Sequence, residues 1–563
     1  MRNRVVKGLA AVLALTVLAG CGAKTGSEQK PTTETKTQAP KVIKFNAGAD
    51  FRTLDPGLMS DAVSGYAATQ LYEGLVRTSE KGTQAGMAAS WDILDNGTKF
   101  VFHLRDGIKW SNGDPVTAED FVYAWTRVLD PQVASEYAYQ LYYVKGGEAF
   151  NNVAAKIKGA DGKEIDNPQF KEQLAAAQKN LGLKAVDAKT FEVTLEAPTP
   201  YFLELTAFHA LMPVSKKAVE ANKEGWAAKA ATLVSNGPYK LTSWEPKKLA
   251  VLEKNPNYWN AGSVKVDKLE YYMIEETATA LQLFESGQLD VMWAPPPPEI
   301  PRLEKEGKLQ FAPAYNAYYY EFNTQKAPFN DVRVRKALAM AIDRKAIVTN
   351  VTKLNQKPAY GIVAVGAQDA APGSDFRTVG GDLFKEDLAE AKKLLAEAGY
   401  PDGKGFPATE IYYNTLESHK MIAEATIEMW KKNLGITSIK ATNMEFKVLL
   451  DRKQKGEHFI ARAGWNGDYT DAMTFLDMWV TKGGNNTAFW SNAEYDALIK
   501  KAKSTGDQKV RVEAMHGAEK ILMSEMPIIP FYFGRTPFLQ SAKVTGVFRE
   551  ALGTIDFTNA DVK

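Results

Sequence analysis

Residues 461–479 read ARAGWNGDYTDAMTFLDMW, which places Asp468, Asp471 and Asp477 among Trp465, Tyr469, Phe475 and Trp479. Carboxylates beside aromatic rings suit three kinds of chemistry. Asp468 and Asp471 can be the acid and the nucleophile or base of a glycoside hydrolase, whose carboxyl groups stand about 5 to 9 Å apart across a sugar-sized cleft. They can trap a cation. They can also be solvated or capping acids of a surface loop, the usual place for single charges. The local sequence does not choose among these.

Other reaction centres lack their usual sequence support. The histidines, at 103, 209, 419, 458 and 516, are too scattered for HExxH or another close metal-ligand spacing, so no metal is expected. There is no GxxxxGK[ST] loop, no GxGxxG after a strand and no GxSxG elbow, and no cofactor is expected. The one cysteine, Cys21, offers neither a disulfide nor, once modified, a thiol nucleophile. Carboxylate chemistry is the one enzymatic option left open.

The elements that must position the acids belong to a large chain. At 563 residues it exceeds one core and predicts roughly two to four domains. Its 45% apolar and 24% charged residues are ordinary for a soluble globular protein, and 69 basic against 67 acidic residues imply neither nucleic acid nor an acidic membrane surface as partner. Strand-like VIKFNAG opens folded sequence near Val42. In residues 90–131, Asp95-Asn96-Gly97-Thr98 predicts a turn and Phe100, Phe102 and Leu104 a half-buried strand. Thr117 and Asp120 then predict a capping box for a helix ending at Asp130-Pro131. Farther on, TFEVTLE (190–196) and KLEYYMI (268–274) predict strands. Asn330-Asp331 predicts the cap of one helix, and a second runs from Asp387 to Gly399. The prolines 295–298 predict an extended segment crossing a surface. Mixed elements without regular βαβ alternation indicate α/β lobes of more than one kind.

The N-terminus carries an address. Arg2, Arg4 and Lys7 precede the apolar run GLAAVLALTVLAG, which rises only about 20 Å as a helix, too short for a membrane core of about 30 Å. This predicts a signal peptide at 1–20. Leu18-Ala19-Gly20-Cys21 looks like a lipobox, whose cysteine is lipidated, and residues 21–40, rich in Lys, Thr, Glu and Pro, predict a flexible tether. The chain is expected on the extracytoplasmic face of a bacterial cell membrane, touching it only through lipid.

The ordered set of segments resembles a known family: the oligopeptide-binding lipoproteins of bacterial ABC importers, OppA-type or family 5 solute-binding proteins. The resemblance rests on the lipobox, TLDPGLMSDAVSGYAATQLYEGL (53–75), the block at 90–131, YYYEFNTQKAPFNDVRVRKALAMAIDR (318–344), AKKLLAEAGYP (391–401), YYNTLESHK (412–420) and ARAGWNGDYTDAMTFL. It implies an α/β, two-lobed hinged solute-binding fold (periplasmic-binding-protein-like, type II) with an additional third α/β domain. The implied boundaries are lobe I at 41–72, 187–315 and 534–563, the additional domain at 73–186 and lobe II at 316–533. The implied activity is capture of an oligopeptide and its delivery to ABC permease transmembrane subunits by a monomer that is not an enzyme. Alternatives within the fold are a dipeptide, murein peptide, oligosaccharide or metal chelate as ligand, or a peptide-pheromone sensor.

By the same resemblance, Asp468 pairs with the ligand's α-ammonium group. A physical argument stands beside it: a cleft carboxylate with no fixed cation costs several kcal/mol to desolvate, and an entering ammonium supplies the missing charge. Gly464 and Asn466 are expected to offer backbone groups to an added strand, and Trp465 to wall a side-chain pocket. Arg462, Lys453, His419 and Lys353 match positions that meet the ligand's C-terminal carboxylate, although Lys453 stands where the family pattern has arginine. Ser60, Asp61 and Ala62 match the loop of the facing lobe, and Tyr139 is expected to line the cleft. Asp471 and Asp477 are expected to be solvated or capping acids, and the aromatics 318–322 strand core.

Overall fold

The computed structural model describes residues 39–158 and 163–563. The expected signal peptide, Cys21 and the tether through residue 38 lie outside them. Among the described residues no helix is long and apolar enough to cross a membrane.

Three sheets organise the described chain. In the first, Val42–Asn46 runs parallel to Lys268–Tyr272 on one side and Val291–Trp293 on the other. The hairpin Tyr239–Glu245 and Leu249–Lys254 extends one edge, and Thr536–Gln540 with Gln310–Ala312 the other, giving seven strands. Ile43 and Phe45 alternate with half-exposed Val42 and Lys44, and both apolar side chains are fully buried. Each such burial contributes about 1.5 to 3 kcal/mol.

The second sheet has six strands in the order Lys357–Pro358, Ile528–Phe533, Asn316–Phe322, Ile460–Asn466, Thr409–Asn414 and Ile439–Met444. Its Asn316–Phe322 strand is almost wholly buried because it lies between two antiparallel neighbours and over helices such as Val332–Met340. The chain passes from the first sheet to the second at 313–315 and returns at 534–535. These crossings lie side by side, with Gly534 N donating to Asn316 O at 3.1 Å. A Cβ on Gly534 would fall 1.9 Å from the Asn316 side chain, so the close approach requires glycine.

The third sheet follows local sequence signals closely. Asn96, at φ 55°, turns Ala88–Leu94 back into Lys99–Leu104, whose Phe100, Phe102 and Leu104 are buried. The Ala118–Leu129 helix has the expected capping box, Thr117 with Asp120, and packs Trp125 inward, where its indole N–H donates to Leu211 O at 2.7 Å.

Three expectations need correction. The boundary at 187 cuts a hairpin: Thr190–Thr194 pairs with both Lys99–Leu104 and Leu183–Asp187, so its hydrogen bonds hold it in the third sheet. The prolines do not cross a surface, because Pro295, Pro296 and Pro297 are buried and Pro297 starts a short turn leading into the Ile300–Lys305 helix. The segment after Asp331 is not one helix. Val332–Met340 stops, Asp343 caps a new turn by accepting from Ala346 N, and buried Arg344 donates to the carbonyls of Ala339, Ile342 and Pro530 at the break.

A buried ion pair fastens the loop beside the second sheet. Glu519 Oε1 accepts from Ile362 N at 2.8 Å, Val363 N at 2.9 Å and Arg377 Nη1 at 2.5 Å, with both side chains almost inaccessible. Glu519→Ala strands a buried guanidinium and two backbone donors, and is expected to destabilise the fold by about 3 to 5 kcal/mol, read as a lower denaturant midpoint with an unchanged slope.

Candidate functional site

A cavity of about 460 Å³ lies between the second sheet and the Thr536–Gln540 edge of the first, walled also by residues 60–78 and 136–137, within the usual range for ligand sites. The second sheet offers it the Ile460–Asn466 strand. One edge of that strand pairs along its full length with Asn316–Phe322, whereas on the other edge Thr409–Asn414 pairs only with Ile460 and Ala461. From Arg462 onward the second edge has no strand partner. Gly467 N donates to Tyr315 O at 2.9 Å, and antiparallel pairs alternate, so Trp465 and Ala463 bond inward while the backbone groups of Gly464 and Asn466 face the open edge. Arg462, Gly464, Trp465, Asn466 and Asp468 all line the cavity.

Asp468 is 9% exposed. Its Oδ2 accepts from Gln140 Nε2 at 2.8 Å and its Oδ1 from Tyr137 Oη at 3.4 Å, while its own N–H donates to Thr474 Oγ1 at 2.9 Å. Among the described residues no basic side chain lies within ion-pair distance of it. Burial pushes its carboxyl well above the usual carboxylate range, and the Asp477 charge adds to this against the two hydrogen bonds.

Arg462 supplies the opposite charge six residues earlier, its Cα at most about 20 Å from that of Asp468 along extended chain. Its guanidinium lies 5.1 Å from the Tyr318 ring centroid and donates to Asn414 Oδ1 at 3.4 Å, and no described carboxylate pairs with it. His419 is buried at the same corner with Nδ1 at 3.3 Å from Tyr318 Oη. Burial first, and the Arg462 charge second, hold His419 well below its ordinary value, so it is neutral at pH 7. The cavity thus carries an unpaired acid and an unpaired base along one open strand edge, an arrangement suited to a zwitterionic, extended ligand.

The remaining expected residues divide. Ser60, Asp61 and Ala62 line the facing wall, where Asp61 caps the Ala62–Leu71 helix through Ser64 N and Ser60 bonds to Arg52. Lys453 lines the cavity but is already paired: its Nζ lies 3.3 Å from Glu321 Oε1, a carboxylate 1% exposed. Lys353 does not line it, although Thr352 and Leu354 do, because the loop turns at Lys353 with φ 59°. Tyr139 does not line it either. The 3-10 turn Ala138–Leu141 directs Tyr139 toward Asn485 and leaves Tyr137 at the cavity. Tyr318 and Tyr319 serve as both strand core and cavity wall.

The flanking acids also differ from expectation. Asp471 caps the turn Ala472–Phe475 as expected, yet it is not solvated, since Arg511 Nη2 meets its Oδ1 at 2.9 Å in a buried pair. Asp477 is fully buried with Lys503 Nζ at 3.1 Å. Each burial is possible because a cation arrives from a distant helix. Sequence reasoning missed Tyr137, Gln140, Glu204 and Thr474. Gln140 and Tyr137 lie more than 300 residues from Asp468, and no local pattern marks them.

The chain is similar to proteins of known family and structure. A model of the middle part of the bacterial extracellular solute-binding proteins, family 5, matches residues 82–487. The chain is 38% identical over 563 residues to the oligopeptide-binding protein OppA of Bacillus subtilis, with 97% of each chain covered. Haemophilus influenzae OppA in complex with RPPGFSPFR matches at TM-score 0.81 and 32% identity, covering 93% of this chain and 99% of that one. An unliganded open form of the murein tripeptide-binding protein MppA has similar identity, 30%, and coverage, 93% and 98%, but a TM-score of only 0.57. The chain thus superposes more closely on the peptide complex than on the open form.

The raised carboxyl of Asp468 has a pH signature. A group whose folded value exceeds its unfolded value, near 4, stabilises the fold below about pH 4 and withdraws that stabilisation as pH rises through the folded value. Without ligand, Asp468→Asn is expected to raise the denaturant midpoint at pH 8 and to lose the advantage toward pH 4. A midpoint offset that is constant with pH would contradict this.

Proposed function

This chain belongs to the bacterial extracellular solute-binding proteins, family 5, and we propose that it captures oligopeptides between two hinged lobes and delivers them to the membrane subunits of an ABC importer. The observation that carries this reading is the pairing of an uncompensated buried acid, Asp468, with an uncompensated base, Arg462, along the open edge of one strand.

On this reading the ligand adds to the Ile460–Asn466 strand. The backbone groups of Gly464 and Asn466 supply hydrogen bonds shared by all peptide sequences, while the α-ammonium group meets Asp468 and fixes register. Arg462 receives the terminal carboxylate and neutral His419 assists as a hydrogen-bonding partner. We assign no such role to Lys453, which pairs with Glu321. Trp465 walls a pocket, and side chains that point away from the strand meet water and rings, so the protein accepts varied sequences. The lobes we assign follow the sheets: the first and third sheets lie to one side of the crossings at 313–315 and 534–535, and the second sheet to the other.

Ligand-driven closure is supported by the match to a peptide complex over an open form. Closure is then the state that the permease reads, since a ligand shifts a hinge equilibrium by its differential affinity for the two states. We further propose that Cys21 carries the lipid anchor on the extracytoplasmic face. A glycosidase would need Asp471 beside Asp468, and Asp471 is committed to Arg511 and does not line the cavity. That supports a binding protein without catalytic activity.

Calorimetry with free and N-acetylated forms of one peptide tests the reading. Asp468→Asn is expected to weaken the free peptide by about 3 to 5 kcal/mol, the range for breaking a buried ion pair, and the N-acetylated peptide to bind the unsubstituted protein comparably poorly. Equal affinity for the two forms would contradict the assignment.

A further inference from the structure

Asp468 shares its enclosure with a second acid and one base. Asp477 is fully buried, and its Oδ2 accepts from Lys503 Nζ at 3.1 Å, Tyr469 Oη at 3.3 Å and Tyr143 Oη at 3.4 Å. Its Oδ1 is buried without any partner. One short stretch serves both carboxylates, with Tyr137 and Gln140 on Asp468 and Tyr143 on Asp477. Tyr469, the next residue after Asp468, reaches Asp477 from the other side. Lys503 is only 19% exposed and stands 4.9 Å from the Tyr143 ring centroid and 5.7 Å from that of Tyr139.

The enclosure therefore holds two carboxylates, one ammonium group and a wall of tyrosines. With both acids ionised, its charges leave one negative unit over. That unit sits on Asp468, because Lys503 is held by Asp477 and no described base lies within ion-pair distance of Asp468. Buried charges of this kind cost several kcal/mol unless paired, so the set is completed by one further cation.

Resting on the reading of Asp468 as the ammonium anchor, we propose that Asp477 and Lys503 are positioning residues for peptide selection. Asp477 commits the Lys503 cation to itself and keeps Asp468 short of a counter-ion, so that the ligand's α-ammonium group completes the buried set. Removing the Asp477 charge would let Lys503 balance Asp468 from within. The ligand's ammonium would then enter as a surplus cation, and the protein would lose its preference for free amino termini. Removing both charges together would restore the single negative unit.

The test measures, for each variant of the intact protein, the ratio of affinities for trialanine and N-acetyl-trialanine, which cancels any loss of folded protein. Asp477→Asn is expected to lower the ratio by about tenfold or more, and Asp477→Asn with Lys503→Met to return it to within about threefold of the unsubstituted protein. Lys503→Met alone, which leaves two carboxylates, is expected to keep the ratio at or above the unsubstituted value. An unchanged ratio in Asp477→Asn, no recovery in the double variant, or a fall in Lys503→Met would each overturn the inference. Asp468→Asn in parallel separates the two levels. If it leaves the ratio unchanged, the ammonium reading itself fails; if it collapses the ratio while Asp477→Asn does not, only the present inference fails.

Discussion

A carboxylate taken out of water without a counter-ion is the constraint on which the site depends. Asp468 receives two hydrogen bonds and no cation, and such a group is unfavourable unless the surrounding fold holds it in place. The neighbouring segment shows how it is held. Tyr469 stacks on Tyr201 with ring centroids 4.5 Å apart, Thr470 donates its N–H and hydroxyl to Glu204, and Asp471 is pinned by Arg511. Four consecutive residues are thus fixed by side chains from distant parts of the chain. The energy set aside in one unpaired charge becomes available when a ligand of opposite charge arrives.

The same constraint explains why the walls are made as they are. A peptide that fills the cavity must satisfy its own backbone, and the open edge at Gly464 and Asn466 provides the partners. On the proposed reading, side chains contribute contacts without reading identity, so breadth of ligand and strength of binding arise from different groups. Ion pairs across the cleft add to the closed arrangement: Lys247 with Glu445 at 2.7 Å and Arg52 with Asp451 at 3.5 Å. These pairs are partly solvated and each is worth at most about 1 kcal/mol. On the proposed reading, the main coupling between ligand and closure runs through the buried contacts of residues 468–471.

Much of the fold was legible because it is written locally. Alternation in Phe100, Phe102 and Leu104, the capping box at Thr117 and Asp120, and the caps at Asp331 and Asp387 all act within a few residues. Long-range pairing was not legible. Asp477 reads as a loop acid until Lys503 arrives from a helix 26 residues later, and Lys453 reads as a free cation until Glu321 arrives from a strand 132 residues earlier. Tyr139 and Tyr137 differ only in how a 3-10 turn rotates them, which composition does not encode. Thr190–Thr194 was assigned to the wrong side of a boundary for a similar reason, since a hairpin partner rather than its own pattern decides its sheet. Asp468 itself stood out only through its ordered company of motifs, because an acid beside aromatics has several uses.

On the proposed reading, the cavity holds a peptide by its free amino terminus. Native mass spectrometry of the protein purified without denaturation tests this most directly. The expected result is a set of bound species that resolve, on release and sequencing, into peptides of varied sequence with unmodified amino termini. Release of a single sugar, bile acid or metal chelate, or of peptides with blocked amino termini, would contradict it.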